Sequence, residues 1–466
     1  MTTLISDSRL PHDGTSLIAD PIHGYITFTV PFSASQSDER TEKDLIDSPW
    51  LQRLRYIYQL QSAHWVYPSA EHTRFQHSLG AMHLAGQFAK HLYPTLAKTV
   101  ADVPSPSYIE ELLRVTALLH DIGHGPFCHF FDHHFLHQFH INHEQIGQTI
   151  IRTQLAGIIS KITRSPSGLF ARGEQLDPDH VAFLILKDAH KPTHDYPPWL
   201  IALQPIVGGV YTADNFDYVL RDSYMCGVAI GPVDIERLQH YTFFTHKGLT
   251  IHQSGLSALQ MFLHARLYLY SNVYYHRTTR AIDIHLQEIF SRTMGYLFPY
   301  NPLNQLEEYL NLTDWSLIES VRQWPGDRHA IKRRLGKEWA NILRRNVKWK
   351  MAYATLLSTS SNSRTRKGFT PTTLETQIRK ALPSHLRGIE FRVDMAHQDS
   401  RPINLLNMGG FQIFVYDPST KNVAKERLKT FFEYLPARMV QFRIYALDHS
   451  IDAELSKAAE TVLKKS

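Results

Sequence analysis

The stretch Leu118-Leu119-His120-Asp121-Ile122-Gly123-His124-Gly125-Pro126-Phe127-Cys128-His129 decides the reading of this chain. Just before it, Ile109, Leu112, Val115 and Leu119 share one face of a helix from about Glu110 to His120, the three-to-four spacing of an amphipathic element. That helix ends in an adjacent imidazole and carboxylate, and Gly123 and Gly125 stop it there. Such a pair can point into one cavity, and two further ligands would complete a site for a divalent ion. Upstream, Arg74-Phe-Gln-His77-Ser-Leu-Gly80 offers His77 ahead of another helix. Downstream, Thr212-Ala-Asp214-Asn-Phe-Asp217-Tyr218-Val-Leu-Arg221-Asp222 offers several carboxylates. A lone His-Asp pair is usually a cap or a surface ion pair. The order His77, then His120-Asp121, then Asp214, with the glycine-rich exit, makes a metal site the better reading. Two imidazoles and two carboxylates form a mixed N/O donor set that suits Mn, Fe, Zn, Mg or Ni better than a soft metal.

The rest of the composition is compatible with this. The 466 residues are 43% hydrophobic and 20% charged, a globular balance long enough for a large domain with an appendage. No apolar run approaches the ~18 residues of a membrane span, and the N-terminus has no basic-then-apolar leader. The two cysteines, Cys128 and Cys226, form no CxxC pair, which excludes a disulfide framework or thiolate zinc site and makes a reducing cytoplasm the expected location. A formal charge of +5 permits a polyanionic ligand without demanding one.

Along the chain, residues 1–19 read as a loose arm and Asp20–Val30 as a short β-hairpin. From Asp47 to about residue 300 the pattern is mainly helical. Asp47 or Ser48 can cap a helix with Pro49 in its first turn, and another helix is expected from about Leu256 to Arg277. The segment 328–350 is a candidate basic helix, with only Glu338 opposing its nine Lys and Arg. Residues 358–367 read as a linker. Beyond it, period-two alternation at Ile389–Val393, Phe411–Tyr416 and Val440–Tyr445 predicts one small sheet, with helices at about Ala424–Tyr434 and at the C-terminus. The fold class is therefore mainly α, with an N-terminal hairpin and a small α+β C-terminal region. Its divisions are 1–19, 20–325, 326–367 and 368–466.

The ordered motifs resemble a known family. DPIHG (20–24), DSPWLQRLRYIYQL (47–60), RFQHSLG (74–80), LLHDIGHGPFCHFFD (118–132), NHEQ (142–145) and DNFDYVLRDS (214–223), with Tyr274-Tyr-His276, resemble the HD superfamily. Within it they are similar to the deoxynucleoside triphosphate triphosphohydrolases, of the type found in mammals with a SAM domain and in bacteria without one. The resemblance spans about residues 17–300 and is looser in the C-terminal strands. It implies an HD-type helical core at 20–325 and a metal-dependent hydrolysis of (deoxy)nucleoside triphosphates to nucleoside and tripolyphosphate. It makes His77, His120, Asp121 and Asp214 the metal ligands, and His124, His129, Asp132 and His143 the catalytic polar groups beside the α-phosphate. Gln59, Arg74, Asn215, Tyr218, Asp222, Arg266, Tyr270, Tyr274 and Tyr275 fall where the family binds phosphates and sugar. Asp47, Gln52 and Arg55 fall where it reads an activating nucleotide, with a homo-oligomer, dimer or tetramer, implied. His133, His134, His137 and His140 read as a solvated helix face.

Three departures bear on substrate choice. Asn215 stands where the family often has Lys, Tyr270 where the mammalian members have His, and Tyr275 where they have Gln. Ser16 replaces a lysine of the activator site. Two alternatives stay open: an HD phosphohydrolase of another or modified nucleotide, and a nucleic-acid-binding or regulatory protein with a structural HD site. The segment 328–350, with Trp339 and Trp349, speaks for the latter.

Overall fold

A computed structural model describes residues 13–33, 38–186, 195–358, 370–398, 412–424 and 439–465. The expected arm over residues 1–12, most of the linker at 358–367 and the helix expected at 424–434 lie outside those residues, apart from their first or last positions.

The first described element is a hairpin of β1 (Thr15–Asp20) and β2 (Gly24–Thr29), paired antiparallel from Thr15↔Thr29 to Asp20↔Gly24. Residues 15–19, expected in the arm, thus form a strand, because inward residues such as Ile26 and Phe28 bury against the core and fix its partner. The helix expected at Asp47 is short, Pro49–Gln52, capped by Ser48 and followed by a tighter turn at Arg53–Tyr56.

The helical core is built from α1 (Arg74–Thr99) and α2 (Pro106–Leu119). A capping box between Thr73 and Gln76 starts α1. Ser105 caps α2 through the Tyr108 N–H, with Pro106 in its first turn. Every α2 residue from Tyr108 to Leu119 is buried, so the apolar stripe seen in the sequence is only one of its covered faces. Then come α3 (His129–His134), α4 (His143–Thr153) and α5 (Ala213–Cys226), the last capped by Thr212 and closed by Gly227 at φ 67°.

The expected single helix 256–277 is interrupted. It is α6 (Leu256–Leu269), then a wider π turn at Tyr270–Tyr274, and a fresh start at His276 into α7 (Arg277–Leu297). Further on lie α8 (Asp314–Gln323) and α9 (Ala330–Leu343). The basic helix therefore ends before residue 350, where a strand begins.

The expected single C-terminal sheet is two sheets. In our numbering, β3 (Thr242–Thr245) and β4 (Gly248–His252) belong to a four-stranded sheet in which β4 pairs in parallel with Phe414–Asp417 and that strand with Asn422–Ala424. The other sheet has Met439–Ala446 between Lys350–Ser358 and Phe391–Gln398, all antiparallel. Period-two patterns identify strands but not partners, so this division was invisible in sequence. Apolar residues from Ile26 to Tyr445 form one large core that includes Trp349, Ile413 and Val415. A smaller one joins Leu374, Ile378, Phe391, Phe442 and Leu455. Among the described residues, no helix is long and apolar enough to cross a membrane.

Candidate metal and phosphohydrolase site

Three helix ends converge on one point. His77 is in the first turn of α1, His120 and Asp121 follow α2, and Asp214 is in the first turn of α5. His77 Nε2 lies 3.3 Å from Asp214 Oδ1 and 3.7 Å from Asp121 Oδ2. His120 Nε2 lies 3.4 Å from Asp121 Oδ1 and 3.7 Å from Asp214 Oδ1. Ligand atoms of His77, His120 and Asp214 are all within 4.8 Å of one another.

Each imidazole is aimed by its other nitrogen. His77 Nδ1 donates to Asp217 Oδ2 at 2.8 Å, and His120 Nδ1 to the Ala117 carbonyl at 2.7 Å. This is how ligating histidines are usually held, and it turns both Nε2 atoms into the cluster. His77 Nε2 is buried without a well-formed hydrogen bond, an orphan that a cation would satisfy. Burial disfavours a charged His77, but the carboxylates of Asp214, Asp217 and Asp121 outweigh it and raise its pKa to about 10. That surplus negative charge is what a divalent ion neutralises. The residues present fit such an ion, with Asp121 shared: its Oδ2 also accepts from Arg74.

A second polar cluster adjoins the first. His124 and His143 stack at 3.7 Å between ring centroids, and His129 stands edge-on to both. His143 Nδ1 donates to Asp132 Oδ2 at 2.5 Å, with His129 Nδ1 3.6 Å from the same oxygen. His124 Nε2 is 3.3 Å from Asp121 Oδ1, which joins the two clusters. Gly123 makes this possible: a Cβ there would lie 2.0 Å from the His143 carbonyl, so only glycine admits α4 this close. Burial, with Arg74 and His143 nearby, pushes the His124 pKa well down, whereas the His129 side chain reaches solvent. For Asp132, burial is overcome by hydrogen bonds from His129 and His143, and its pKa falls. The cluster thus sets an ionised Asp132 beside a neutral, buried His124.

The loop that delivers His129 is strained. Phe127 and Cys128 have φ of 59° and 52°, a left-handed conformation that costs non-glycine residues energy. Asp314, from the start of α8, holds it by accepting the Phe127 N–H at 2.7 Å and the Tyr58 N–H at 2.8 Å. Arg53 adds a bond to the His124 carbonyl at 2.6 Å.

The remaining candidates divide. Asp222 accepts from Tyr274 Oη at 2.5 Å and from His72 Nε2 at 2.8 Å. Tyr270 packs edge-on to Tyr274 at 4.9 Å, and the Arg266 guanidinium lies 5.7 Å from the Tyr270 ring. The Tyr218 hydroxyl is buried among Arg266, Tyr270 and Asp214. These residues share one wall, although the π turn, not a continuous helix face, brings them together. Such turns are frequent at functional sites. Gln59 is buried with Oε1 unpartnered, and Asn215 is buried behind the Thr212 cap. Tyr275 packs edge-on to Tyr270 at 5.8 Å, with the Arg280 guanidinium 6.0 Å from its ring. Arg74 is buried between Asp121 and Cys128 Sγ, already committed to an ion pair.

Asp47, Gln52 and Arg55 do not join the site. Asp47 is exposed and pairs with Lys43; Gln52 bonds the Ile46 carbonyl at 2.7 Å and receives Arg55 Nε at 2.7 Å. Of the histidines expected on a solvated face, His133, His137 and His140 are exposed, but His134 packs 4.2 Å from the Phe130 ring. The basic segment is engaged only in part, with Arg328, Arg333, Arg334, Lys337, Arg344, Arg345 and Lys350 exposed. Lys332 lies over Tyr296 and Trp324, Arg345 bonds the Trp65 carbonyl, and Lys348 meets Glu288 at 3.1 Å. Trp339 and Trp349 are buried. Arg345 and Lys350, with Arg277 and His449, line a separate cationic cavity of about 340 Å³.

Reading the sequence missed the roles of His23, His72, Asp217, Arg221 and Asp314. The first four lie within or beside the quoted motifs, so their signal was present without a partner to interpret it. Asp314 carried none.

The arrangement defines a class, and comparison with known proteins agrees. Residues 74–186 match the HD domain and residues 233–365 the HD associated region. The chain belongs to the HD-domain family and is a phosphohydrolase of that type. It is 28% identical over 341 residues to the uncharacterized protein YwfO of Bacillus subtilis, covering 69% of each chain. It is 24% identical over 495 residues to the deoxynucleoside triphosphate triphosphohydrolase SAMHD1 of Mus musculus, covering 95% of this chain and 70% of that one. Other curated relatives are matched over less of their length, down to 45% for one from Methanocaldococcus jannaschii. A crystal structure of a hypothetical protein from Aquifex aeolicus shares the fold, with a TM-score of 0.67 at 24% identity over 96% of this chain and all of the other.

Proposed function

We propose that this protein hydrolyses deoxynucleoside triphosphates to nucleoside and tripolyphosphate, with a divalent ion held by His77, His120, Asp121 and Asp214. The observation that carries this reading is the junction at Asp121, where the four ligand groups adjoin the cluster of His124, His129, His143 and Asp132. A divalent ion there supplies Lewis-acid polarisation of a phosphate oxygen. The chain's own residues do the rest. Water attacks the α-phosphorus, the bond to O5′ breaks, and a proton must reach that leaving oxygen. His129, beside the ionised Asp132 and reaching solvent, is suited to carry it. Tyr218, Arg266, Tyr270 and Tyr274 form the wall against which sugar and phosphates lie, and Arg266 supplies the phosphate charge that Asn215 lacks. The relatives named deoxynucleoside triphosphate triphosphohydrolase support the substrate class. Nucleotide activation through Asp47, Gln52 and Arg55, with assembly into a homo-oligomer, belongs to the same proposal.

The test is a panel of nucleotides incubated with protein loaded with Mn, Fe, Mg, Zn or Ni in turn. Inorganic tripolyphosphate is the expected product. Release of orthophosphate or pyrophosphate instead would refute the reaction while leaving the metal site standing.

A further inference from the structure

Behind His77 lies a buried network whose far end belongs to the N-terminal hairpin. Asp217, fully buried, takes four hydrogen bonds on its two carboxylate oxygens. His77 Nδ1 binds Oδ2 at 2.8 Å. Arg221 binds through Nε to Oδ2 at 2.9 Å and through Nη2 to Oδ1 at 2.8 Å. The fourth donor is His23 Nε2, at 2.7 Å from Oδ1. His23 stands in the turn between β1 and β2, and its side chain is only 7% exposed. Asp20 locks that turn by accepting the N–H groups of Ile22 and His23 on Oδ1 at 2.9 and 3.0 Å. Its Oδ2 accepts Arg221 Nη1 at 2.8 Å. The turn is therefore fastened to both Asp217 and its counter-ion.

Gly80 leaves the room for this network. A Cβ on it would lie 1.8 Å from Asp217 Oδ1 and 2.5 Å from Arg221 Nη2. No side chain can occupy that position while Asp217 stays where it is. The same helix carries His77 less than one turn earlier, so ligand, carboxylate and gap form one unit.

We propose that His23 is a positioning residue for the metal site, holding Asp217 so that His77 keeps Nε2 turned toward the ion. This rests on the metal reading above. The Arg221 fork spans both oxygens of Asp217, and His23 adds the donor that ties the carboxylate to the hairpin, so the ion pair cannot swing as a unit and the His77 ring that donates to it is held in place. Without His23, Oδ1 keeps only the Arg221 contact, and the side facing the hairpin opens to water. Outer partners of ligating histidines typically alter metal affinity by about 10–100-fold.

The experiment compares wild type, His23→Ala and His23→Gln in the full chain. Mn²⁺ binding is measured by competition with a chelator, and melting temperature with and without Mn²⁺. His23→Ala should weaken Mn²⁺ by about 10–100-fold and shrink the metal-induced rise in melting temperature, with the metal-free value nearly unchanged. His23→Gln, whose amide can donate to Oδ1, should recover most of the affinity. Gly80→Ala, which pushes a methyl group against Asp217 Oδ1, should weaken Mn²⁺ at least as much. Unchanged Mn²⁺ affinity in His23→Ala would overturn the inference, as would an equal fall in both melting temperatures, which marks a merely structural contact. A wild type that binds neither Mn²⁺ nor any other divalent ion sinks the metal reading itself, and this inference with it.

Discussion

The metal-ligand cluster and the patch of Asp47, Gln52 and Arg55 differ in what their polar atoms are already doing. In the cluster, each imidazole spends one nitrogen on a fixed buried partner and presents the other, and the three carboxylates of Asp121, Asp214 and Asp217 surround His77. In the patch, each side chain is satisfied by a neighbour within six residues and two of the three are exposed. A buried group left with an unmet valence costs free energy unless a ligand completes it. A surface group with a local partner costs nothing, and gains little. The cluster is therefore built to receive something even in the absence of a ligand. The patch acquires a role only if a nucleotide displaces its present bonds.

The largest expected effect tests the cluster directly. Asp121→Ala removes the carboxylate shared by the ligand set and His124, so metal content and turnover should fall together to background. Turnover retained at full metal loading, read by elemental analysis beside a tripolyphosphate assay, would break the assignment. Next, His129→Ala should lower kcat by roughly 10²–10⁴-fold with metal content unchanged. Loss of metal in that variant would instead move His129 into the ligand set.

A smaller effect concerns the strut beneath the cluster. Burial raises the Asp314 pKa from 3.8 to about 7. The folded state thus keeps a proton that the unfolded chain releases. The stability from that proton is complete below about pH 4 and is lost as pH rises toward 7. Asp314→Asn turns an amide NH₂ toward one of the two backbone N–H groups and should cost about 1–3 kcal/mol at pH 5. The difference from wild type should narrow by pH 8, because the variant has no such proton to lose. Denaturant unfolding at the two pH values measures it, and a pH-independent difference would refute the protonated Asp314.

The smallest effect belongs to the patch. Arg55→Ala should change stability by less than about 0.5 kcal/mol and leave turnover without added nucleotide intact. If the patch reads an activator, the same variant should abolish any shift in sedimentation that GTP or a dNTP produces in wild type. An identical shift in both proteins would remove the patch from consideration.

Much of the site was legible because its residues sit at helix ends that the sequence marks clearly. His120-Asp121 follows an apolar stripe and precedes two glycines, and Asp214 follows the cap at Thr212. Glycines 80 and 123 were visible as letters, but their reason, a carboxylate and a carbonyl lying against them, was not. Spacing alone does not explain how Arg266, Tyr270 and Tyr274 come together. A spacing of four places Arg266, Tyr270 and Tyr274 together on an α-helix, whereas here the chain widens into a π turn at Tyr270. Tyr275 follows the turn and packs edge-on to Tyr270 at 5.8 Å, with the Arg280 guanidinium 6.0 Å from its ring.

The sequence by itself determined the helical class, the identities of the candidate ligands and the separation of a strand-rich C-terminal part, because these follow from local periodicity, caps and donor chemistry. Only the tertiary structure decided which strands share a sheet, since period two carries no information about partners: Phe414–Asp417 joins β4 rather than its neighbours in sequence. Only the tertiary structure showed that Asp314 braces the Phe127–Cys128 turn, and that His23 reaches across 194 residues to Asp217. Those roles depend on where a buried carboxylate finds its donors, and burial is a property of the packed chain.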